Sequence, residues 1–505
     1  MLIRRPCFRK LNMDTRYKTG LSRGPADAAV FAAAYDAWCG GGELRRARSR
    51  YKDFTYGRQW GDMVETPSGH ILTEGEYSRI SGRTPQTNNI IRQLVKTIVG
   101  RFRASLRESD RAEAICPGIS PEEREELRRV NALDELDARM LEEFLISGCA
   151  VQKVVCERRL HDSRERVWVD NVSPSRFFVN RFRDPRGWDI ELVGMLHDMS
   201  LTEAVMRFSH GDETRRNDIV KAFAYTDGPS GIGSGGASLG GVEGVDFHLP
   251  AQGRCRVIEV WTLESREVLR LRDTSRGMDL MVDADQEERV NRINANRKRQ
   301  GRKAIESSRE TTLVWRFRFF APDGTLLDSG LSPYAHGSHP FVMKFFPMTD
   351  GEVHSFVEDV VDQQRHVNRL LTLIDHIMTF SAKGVLLYPT TVKPKEYSWE
   401  KIVSEWSCCN GVVPYKPSGD AKPMQVVSTG ADAGAHKLLS LELQLLDRIS
   451  GVSGALRGEN SDSKEGVALY ESRVENSMIA LLDVIDSFNA FRTDRDAKMG
   501  MARLV

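Results

Sequence analysis

The sequence lacks any apolar run long enough to span a bilayer, which takes about 20 consecutive residues. Its first residues, Met1-Leu2-Ile3-Arg4-Arg5-Pro6, are partly basic and lack the apolar stretch of a secretory leader. They read as a basic arm, with Met1 or Met13 as the start. Eight cysteines stand at positions 7, 39, 116, 149, 156, 255, 408 and 409 without one Cys-x-x-Cys pair. Neither a disulfide framework nor a zinc site is expected, and the thiols read as reduced. Net charge is almost absent: 72 Lys and Arg against 71 Asp and Glu leave +1. The chain is therefore no polycation, and any nucleic-acid contact must come from a local patch. The Gly/Ser tract 228–244 has no Gly-Lys-Ser/Thr after it, so it is no phosphate loop. No His-Glu-x-x-His helix and no repeat of 20–50 residues occurs.

What is present is one long two-faced helix. After the bend Pro347-Met348-Thr349-Asp350-Gly351, the spacing predicts a helix from Glu352 to Phe380. Val353, Phe356, Val357, Val360, Val361, Val367, Leu370, Leu371 and Ile374 recur at intervals of three and four. The other face carries Glu358, Asp359, Asp362, Arg365 and Arg369. At about 1.5 Å per residue the helix would run roughly 43 Å. Asn88 and Asn89 precede a second apolar stripe, Ile90 to Phe102, and Pro121 starts a helix that ends near Gly148. Ala150–Val155 and Arg166–Val172 read as a hairpin, Arg256–Leu263 and Thr311–Phe320 as strands, and Asp283 to about Arg302 as a charged helix. Later come a strand at 385–388, a helix at 399–406, a strand at 411–415 and helices near 436–449 and 464–498. The class is mixed, α+β, and 505 residues allow two to four domains.

Candidate chemistry is sparse. His336 and His339, with His354 nearby, form the only histidine cluster, without the further ligands that zinc needs. Gly236-Ala237-Ser238-Leu239-Gly240 matches a nucleophile elbow by spacing, yet it lies in the Gly/Ser tract with no strand before it or helix after it. Glu358, Asp359 and Asp362 share a helical stripe, which is the usual arrangement of a solvated acidic face. No catalytic residue, metal or cofactor is assigned. The denser signal is basic: Arg292, Arg297, Lys298, Arg299, Arg302 and Lys303 can neutralise phosphates, but no base-reading motif accompanies them.

Several segments together resemble one family. They are YGRQW at 56–60, RISGRTPQTNNIIRQLVKTIVGRFR at 79–103, VSPSRFFVN at 172–180, VIEVW at 257–261 and ISGVSGALRGENSDSKEGVALYESR at 449–473. With them stands GEVHSFVEDVVDQQRHVNRLLTLIDHIM at 351–378, whose Asp362, Gln364 and Asn368 follow an Asp-x-Gln-x-x-x-Asn pattern. In order and spacing they are similar to tailed-bacteriophage portal proteins, most like those of short-tailed phages, over nearly the whole chain.

The resemblance implies an elongated α+β subunit with a wing, two long stem helices, a small β-rich clip and a short helical crown. On this sequence that means a basic arm at 1–50, a wing at 51–282 and a first stem helix at 283–304. A clip follows at 305–350, a second stem helix at 351–380, and a wing return at 381–436 with a channel loop at 416–435. A reduced crown at 437–505 would close the chain, with no long barrel after it. The implied protein is no enzyme and needs no cofactor. It would form a ring, usually of twelve, at one capsid vertex of a virion assembled in the host cytoplasm. It would conduct double-stranded DNA by backbone contact and bind major capsid protein, the terminase large subunit and then head-tail adaptor proteins, with no membrane partner.

In this frame the six basic residues would meet DNA or the motor. Glu358, Asp359, Asp362, Arg365, Arg369 and Lys383 would face the channel or a neighbouring subunit. Lys416 and Lys422 would belong to the channel loop, and Trp315, Phe317 and Phe319 to clip contacts. The alternatives are a phage nucleic-acid-processing enzyme, which would need a carboxylate metal cluster or a phosphate loop, and a scaffold or binding protein that forms no ring.

Overall fold

A computed structural model describes residues 24–108, 120–159, 164–224, 245–250, 253–273, 277–381, 385–407, 412–416, 422–426, 431–452, 454–457 and 479–502. In chain order the first elements are α1 (Pro25–Gly40), α2 (Gly42–Thr55), β1 (Met63–Glu65), β2 (Ile71–Thr73), α3 (Glu74–Ile80), α4 (Ile90–Glu108), α5 (Pro121–Val130) and α6 (Leu133–Ser147). Then come β3 (Cys149–Glu157), β4 (Arg166–Asn171), β5 (Phe177–Val179), β6 (Leu192–Met199), α7 (Leu201–Phe208), α8 (Glu213–Ala224), β7 (Cys255–Asp273), β8 (Met278–Asp283) and α9 (Glu287–Arg299). Strands β9 (Glu306–Phe320), β10 (Leu326–Leu331), β11 (Phe341–Phe345), β12 (Pro347–Thr349) and β13 (Glu352–Val353) lead to α10 (Phe356–Ser381). The rest is β14 (Val385–Leu387), α11 (Trp399–Ser407), β15 (Met424–Val426), α12 (Ala431–Ser450), the single turn α13 (Gly454–Arg457) and α14 (Leu482–Met501).

These elements divide into two bodies. One comprises Met1–Lys52, Val95–Val357 and Ile479–Val505, the other Asp53–Leu94 and Glu358–Met478. The first body is built on antiparallel sheets. One runs in the order β10-β9-β7-β6-β5, with β8 also paired to β7; the other is β11-β3-β4. Alternation along the strands gives the larger sheet two apolar faces. Leu192, Leu196, Ile258, Val260 and Phe320 pack under Phe31, Ala34 and Trp38 of α1, together with Phe247. On the opposite face Val193 and Trp261 meet Cys149 and Val151 of β3 and Phe341 and Phe345 of β11. Further along that face Met199, Val257 and Phe319 meet Ala204, Phe208, Ile219 and Phe223 of α7 and α8.

One carboxylate stands between these two clusters. Glu259 accepts from Lys153 Nζ at 2.6 Å and from Trp261 Nε1 at 2.8 Å, and lies 2.6 Å from His197 Nε2. Burial alone would raise its pKa, but Lys153 and His197 outweigh burial and hold it well below the usual carboxylate range. A buried charge with three partners on β3, β6 and β7 fixes the register between the sheets, because a slip by one residue would bury it unpaired.

Several sequence expectations are corrected. The expected helix 121–148 is two helices, because Ala132 adopts φ 48 and breaks the run between α5 and α6. The long helix starts at Phe356 rather than Glu352, since Glu352 and Val353 pair with β12 instead. The charged helix is α9 alone, 13 residues preceded by a 3-10 turn, so it spans only about 20 Å. The expected strand at 411–415 is absent among its described residues, 412–415, which carry no regular structure. The expected clip, 305–350, is not a separate unit: β9 and β10 join the larger sheet and β11 the smaller one. The expected channel loop, 416–435, includes β15, which pairs with β14, and the start of α12.

The expected last helix 464–498 is seen as α14, while 458–478 lie outside the described residues. Helices α14 and α12 fall in different bodies. The former packs by Phe488, Phe491 and Met499 and by Arg495, whose guanidinium meets the buried Asp137 carboxylate of α6. Arg492 reaches the same carboxylate at 2.9 Å. Near its end Lys498 Nζ donates to the carbonyls of His339 and Phe341, each at 2.7 Å.

The two histidines of the sequence cluster lie beside this attachment. His336 Nδ1 accepts from Ser338 N at 3.0 Å, which only a neutral ring can do, and its Nε2 has no partner. Burial and then the Lys498 charge lower the His336 pKa to about 4, and the same causes hold His339 well below its ordinary value. Burial also lowers Lys498 to about 7. Groups with depressed folded pKa values stabilise above their unfolded pKa and lose that contribution as pH falls towards the folded value. Asp494, raised by burial, opposes them. The first body should therefore lose on the order of 2 kcal/mol between pH 6.5 and pH 4 from the histidines, discounted for the solvent that reaches His336. Urea unfolding at both pH values checks this. The double variant H336Q/H339Q should show a flatter loss, and an unchanged slope would contradict the assignment.

Candidate nucleic-acid and assembly surfaces

Strand β7 changes partner along its length. Leu192–Met199 of β6 flank its first half, Met278–Asp283 of β8 its second, and β9 pairs on the other side from Ile258 to Arg272. Past Leu263 only Val268, Leu269 and Asp273 of β7 are buried, and the outer half is a three-stranded ribbon β8-β7-β9 closed by α9. Helix α9 buries only Val290. Its end is held by Asn294, whose side chain accepts from Ile305 N at 2.8 Å and donates to Ile305 O at 2.9 Å.

The six basic residues divide into two groups here. Arg297 is structural: its guanidinium pairs with the buried Asp273 and donates to Lys303 O at 3.3 Å. Arg292 makes a long contact with Glu288, 3.4 Å. Lys298, Arg299, Arg302 and Lys303 are exposed around the helix end, where the dipole favours cations. Four cations within six residues can hold phosphate or carboxylate oxygens by charge, and none is oriented by a second group towards a base edge.

Helix α10 carries the network that sequence reasoning did not find. Gln364 and Asn368 are buried, one turn apart, on the apolar stripe. Gln364 Oε1 accepts from Ile90 N at 3.0 Å and Ile91 N at 3.3 Å, and its Nε2 donates to Asn88 O at 2.6 Å. Asn368 Oδ1 accepts from Gln364 Nε2 and Asn88 N, each at 3.1 Å, and Asn368 Nδ2 donates to Gln59 Oε1 at 2.6 Å. Gln59 Nε2 donates onward to Phe54 O at 2.7 Å and to Asn89 Oδ1 at 3.1 Å; Asn89 Oδ1 also accepts from Arg92 N at 3.1 Å. Three of the four N–H groups that open α4 are thus satisfied by side chains. The signal in the sequence was a pair of amides at i and i+4 where the stripe calls for apolar residues.

The charged stripe of α10 is partly engaged within its own chain. Arg369 meets the buried Glu74 carboxylate at 2.5 Å, and Arg365 meets it at 3.1 Å and Asp62 at 3.6 Å. Asp359 and Asp362 are exposed and Glu358 is half-buried. Among the described residues no group of three or more His, Cys, Asp or Glu is placed to hold a metal. Lys383 lies outside the described residues, while Lys416 and Lys422 are exposed.

The aromatic strand serves the chain's own core more than its surface. Phe319 is buried with its ring 5.2 Å from Phe208. Phe317 lies 5.5 Å from Trp261, and half-buried Trp315 meets the His339 ring edge-on at 4.7 Å. The exposed apolar residue of β9 is instead Leu313, on the ribbon.

Replacing Asn368 by Ala would strand the buried Gln59 Oε1, while the Asn88 N–H, on an exposed residue, could turn to water. The expected loss is about 1–3 kcal/mol of stability. Asp362→Ala, at an exposed position, should change it by less than about 0.5 kcal/mol. Thermal unfolding of the two variants beside the parent checks the contrast, and equal effects would refute the structural role of the amides.

No curated protein matches the chain in sequence. The family model of phage P22-like portal proteins, however, matches residues 124–494, which takes in the larger sheet, the ribbon, the long helix α10 and most of α14. With most of its length covered by that one model, the chain belongs to the phage P22-like portal protein family.

Proposed function

We propose that this portal protein works as a closed ring, of twelve copies as is usual for such proteins, through which double-stranded DNA is packaged and ejected. The family match over residues 124–494 carries the reading. The ring would sit at the capsid vertex against major capsid protein and dock the terminase large subunit, then head-tail adaptor proteins. Its work is geometric. A channel needs weak, sequence-blind contact with DNA, and mixed charges with a few exposed cations supply that. Helix α10, 26 residues and about 39 Å long, suits a channel wall. Asp359 and Asp362 are its candidates for the lumen or a neighbouring copy. The ribbon β8-β7-β9 with α9 is the part that would act as a clip, presenting Lys298, Arg299, Arg302 and Lys303 to DNA or the motor. Lys416 and Lys422 would stand near the channel.

Electron microscopy of the purified protein should show rings, and monomers at every concentration would reject the reading. Replacing Lys298, Arg299, Arg302 and Lys303 together by Ala should leave rings intact and cut DNA packaged per procapsid several-fold. If the contact is with DNA, the salt dependence of DNA binding should also weaken, by at most about 0.9 in slope per lost phosphate contact. Arg297→Ala, by contrast, should loosen the ribbon by removing a partner of Asp273. Undiminished packaging by the fourfold variant would remove the basic tip from the mechanism.

A further inference from the structure

The four cations of the ribbon tip stand on a locked frame. Helix α9 ends in a left-handed turn: Gly301 has φ 67, Arg302 N donates to Arg297 O at 3.0 Å, and Gly301 N donates to Lys298 O at 3.2 Å. These two bonds close the helix end and turn the chain back towards β9. Two side chains of α9 then fasten the return. Asn294 bonds both the N–H and the C=O of Ile305, and Arg297 holds Lys303 O and the Asp273 carboxylate. Residues 298–303 are thus pinned at both ends, while Lys298, Arg299, Arg302 and Lys303 stay exposed.

The make-up of the tip distinguishes between partners. From Arg289 to Ile305 the chain has seven cations and no acid. Glu306, the first acid after the tip, stands across from Arg272 in the ladder. Further back along the ribbon the guanidiniums are engaged: Arg266 with Asp283, Arg270 with Asp279 and Glu310, and Arg309 with Glu287. The core of a protein interface is apolar and poor in lysine. No large apolar side chain lies between Ile293 and Ile305, and the exposed Ile293 and Met278 are single side chains, one before the tip on α9 and one on β8. Exposed Asn296 and Gln300 add amide donors to the four cations. Cations and amides without an apolar centre suit phosphate oxygens.

We infer that the tip holds the phosphate backbone of duplex DNA rather than the motor, and that Asn294 and Gly301 are positioning residues that keep its cations in place for that contact. The inference rests on the ring reading above, in which the tip meets one or the other. A tip ordered beforehand avoids the entropy loss of fixing the loop at the moment of binding. Neither Asn294 nor Gly301 carries charge, so loosening them lowers affinity without changing the number of phosphates neutralised.

The full-length protein and a short duplex DNA test it. Gly301→Val keeps every charge but strains the left-handed turn, and a Cβ added there meets nothing within 4 Å, so the effect is on the backbone. Gly301→Val and Asn294→Ala should each bind the duplex several-fold more weakly, with the parent's slope of log affinity against log salt. Gly301→Asn should restore the affinity, because asparagine tolerates the left-handed region. The fourfold Ala variant should lose both affinity and slope. A lower unfolding temperature with unchanged affinity well below the transition would make Asn294 and Gly301 merely structural and overturn their role. A fourfold variant that packages poorly yet binds the duplex with the parent's affinity and slope would assign the tip to the motor, overturning the inference and leaving the ring reading intact. A parent protein that never forms rings would overturn both.

Discussion

Fifteen consecutive residue pairs between β7 and β9 form the spine of the first body. The pairing runs from buried Ile258 and Phe320 to Arg272 and Glu306 at the ribbon's outer end. Because β7 is long enough to pair with β6 in one half and β8 in the other, one strand serves both a core and a projection. In the core half its side chains alternate between α1 above and β3, β11, α7 and α8 below. In the outer half those layers end, and Val268 and Leu269 are the apolar residues of β7 that stay buried. Glu259 locks the alternation: placed on the lower face with Lys153 and His197, it forbids a register shift that would turn its carboxylate, unpaired, to the α1 face.

The second body depends on a different device. Gln59, Asn89, Gln364 and Asn368 bring three separate chain segments together through primary amides that each donate and accept, joined by the backbone N–H and C=O of Asn88. A cluster of neutral amides avoids the desolvation cost of buried charge and still demands one geometry, since any shift leaves a donor or acceptor unpaired.

Cations that look alike in the sequence are divided by their surroundings. Arg256, Arg318 and Arg495 are buried and held by Asp198, by Asp27 and Glu264, and by Asp137 and Asp496. Arg297 likewise closes on Asp273. Lys298, Arg299, Arg302 and Lys303 remain on the surface and carry what local positive field the ribbon tip has.

The sequence by itself determined the elements whose periodicity is long or whose ends are marked: α10, the β3-β4 hairpin and the cores of β7 and β9. It also carried the family resemblance, because the amides of α10 and the segments around Gln59 and Asn88 are recognisable one by one. Their meeting was not legible, since hydrogen bonds between residues some 280 to 310 positions apart leave no local period. Tertiary structure alone decided that Phe319 faces inward, that Arg297 is tied down while Lys298 is not, and that β9 belongs to a shared sheet instead of a separate clip. Side-chain chemistry and spacing can specify a helix or a strand, but partnership across the chain depends on which faces remain after every other face has been buried.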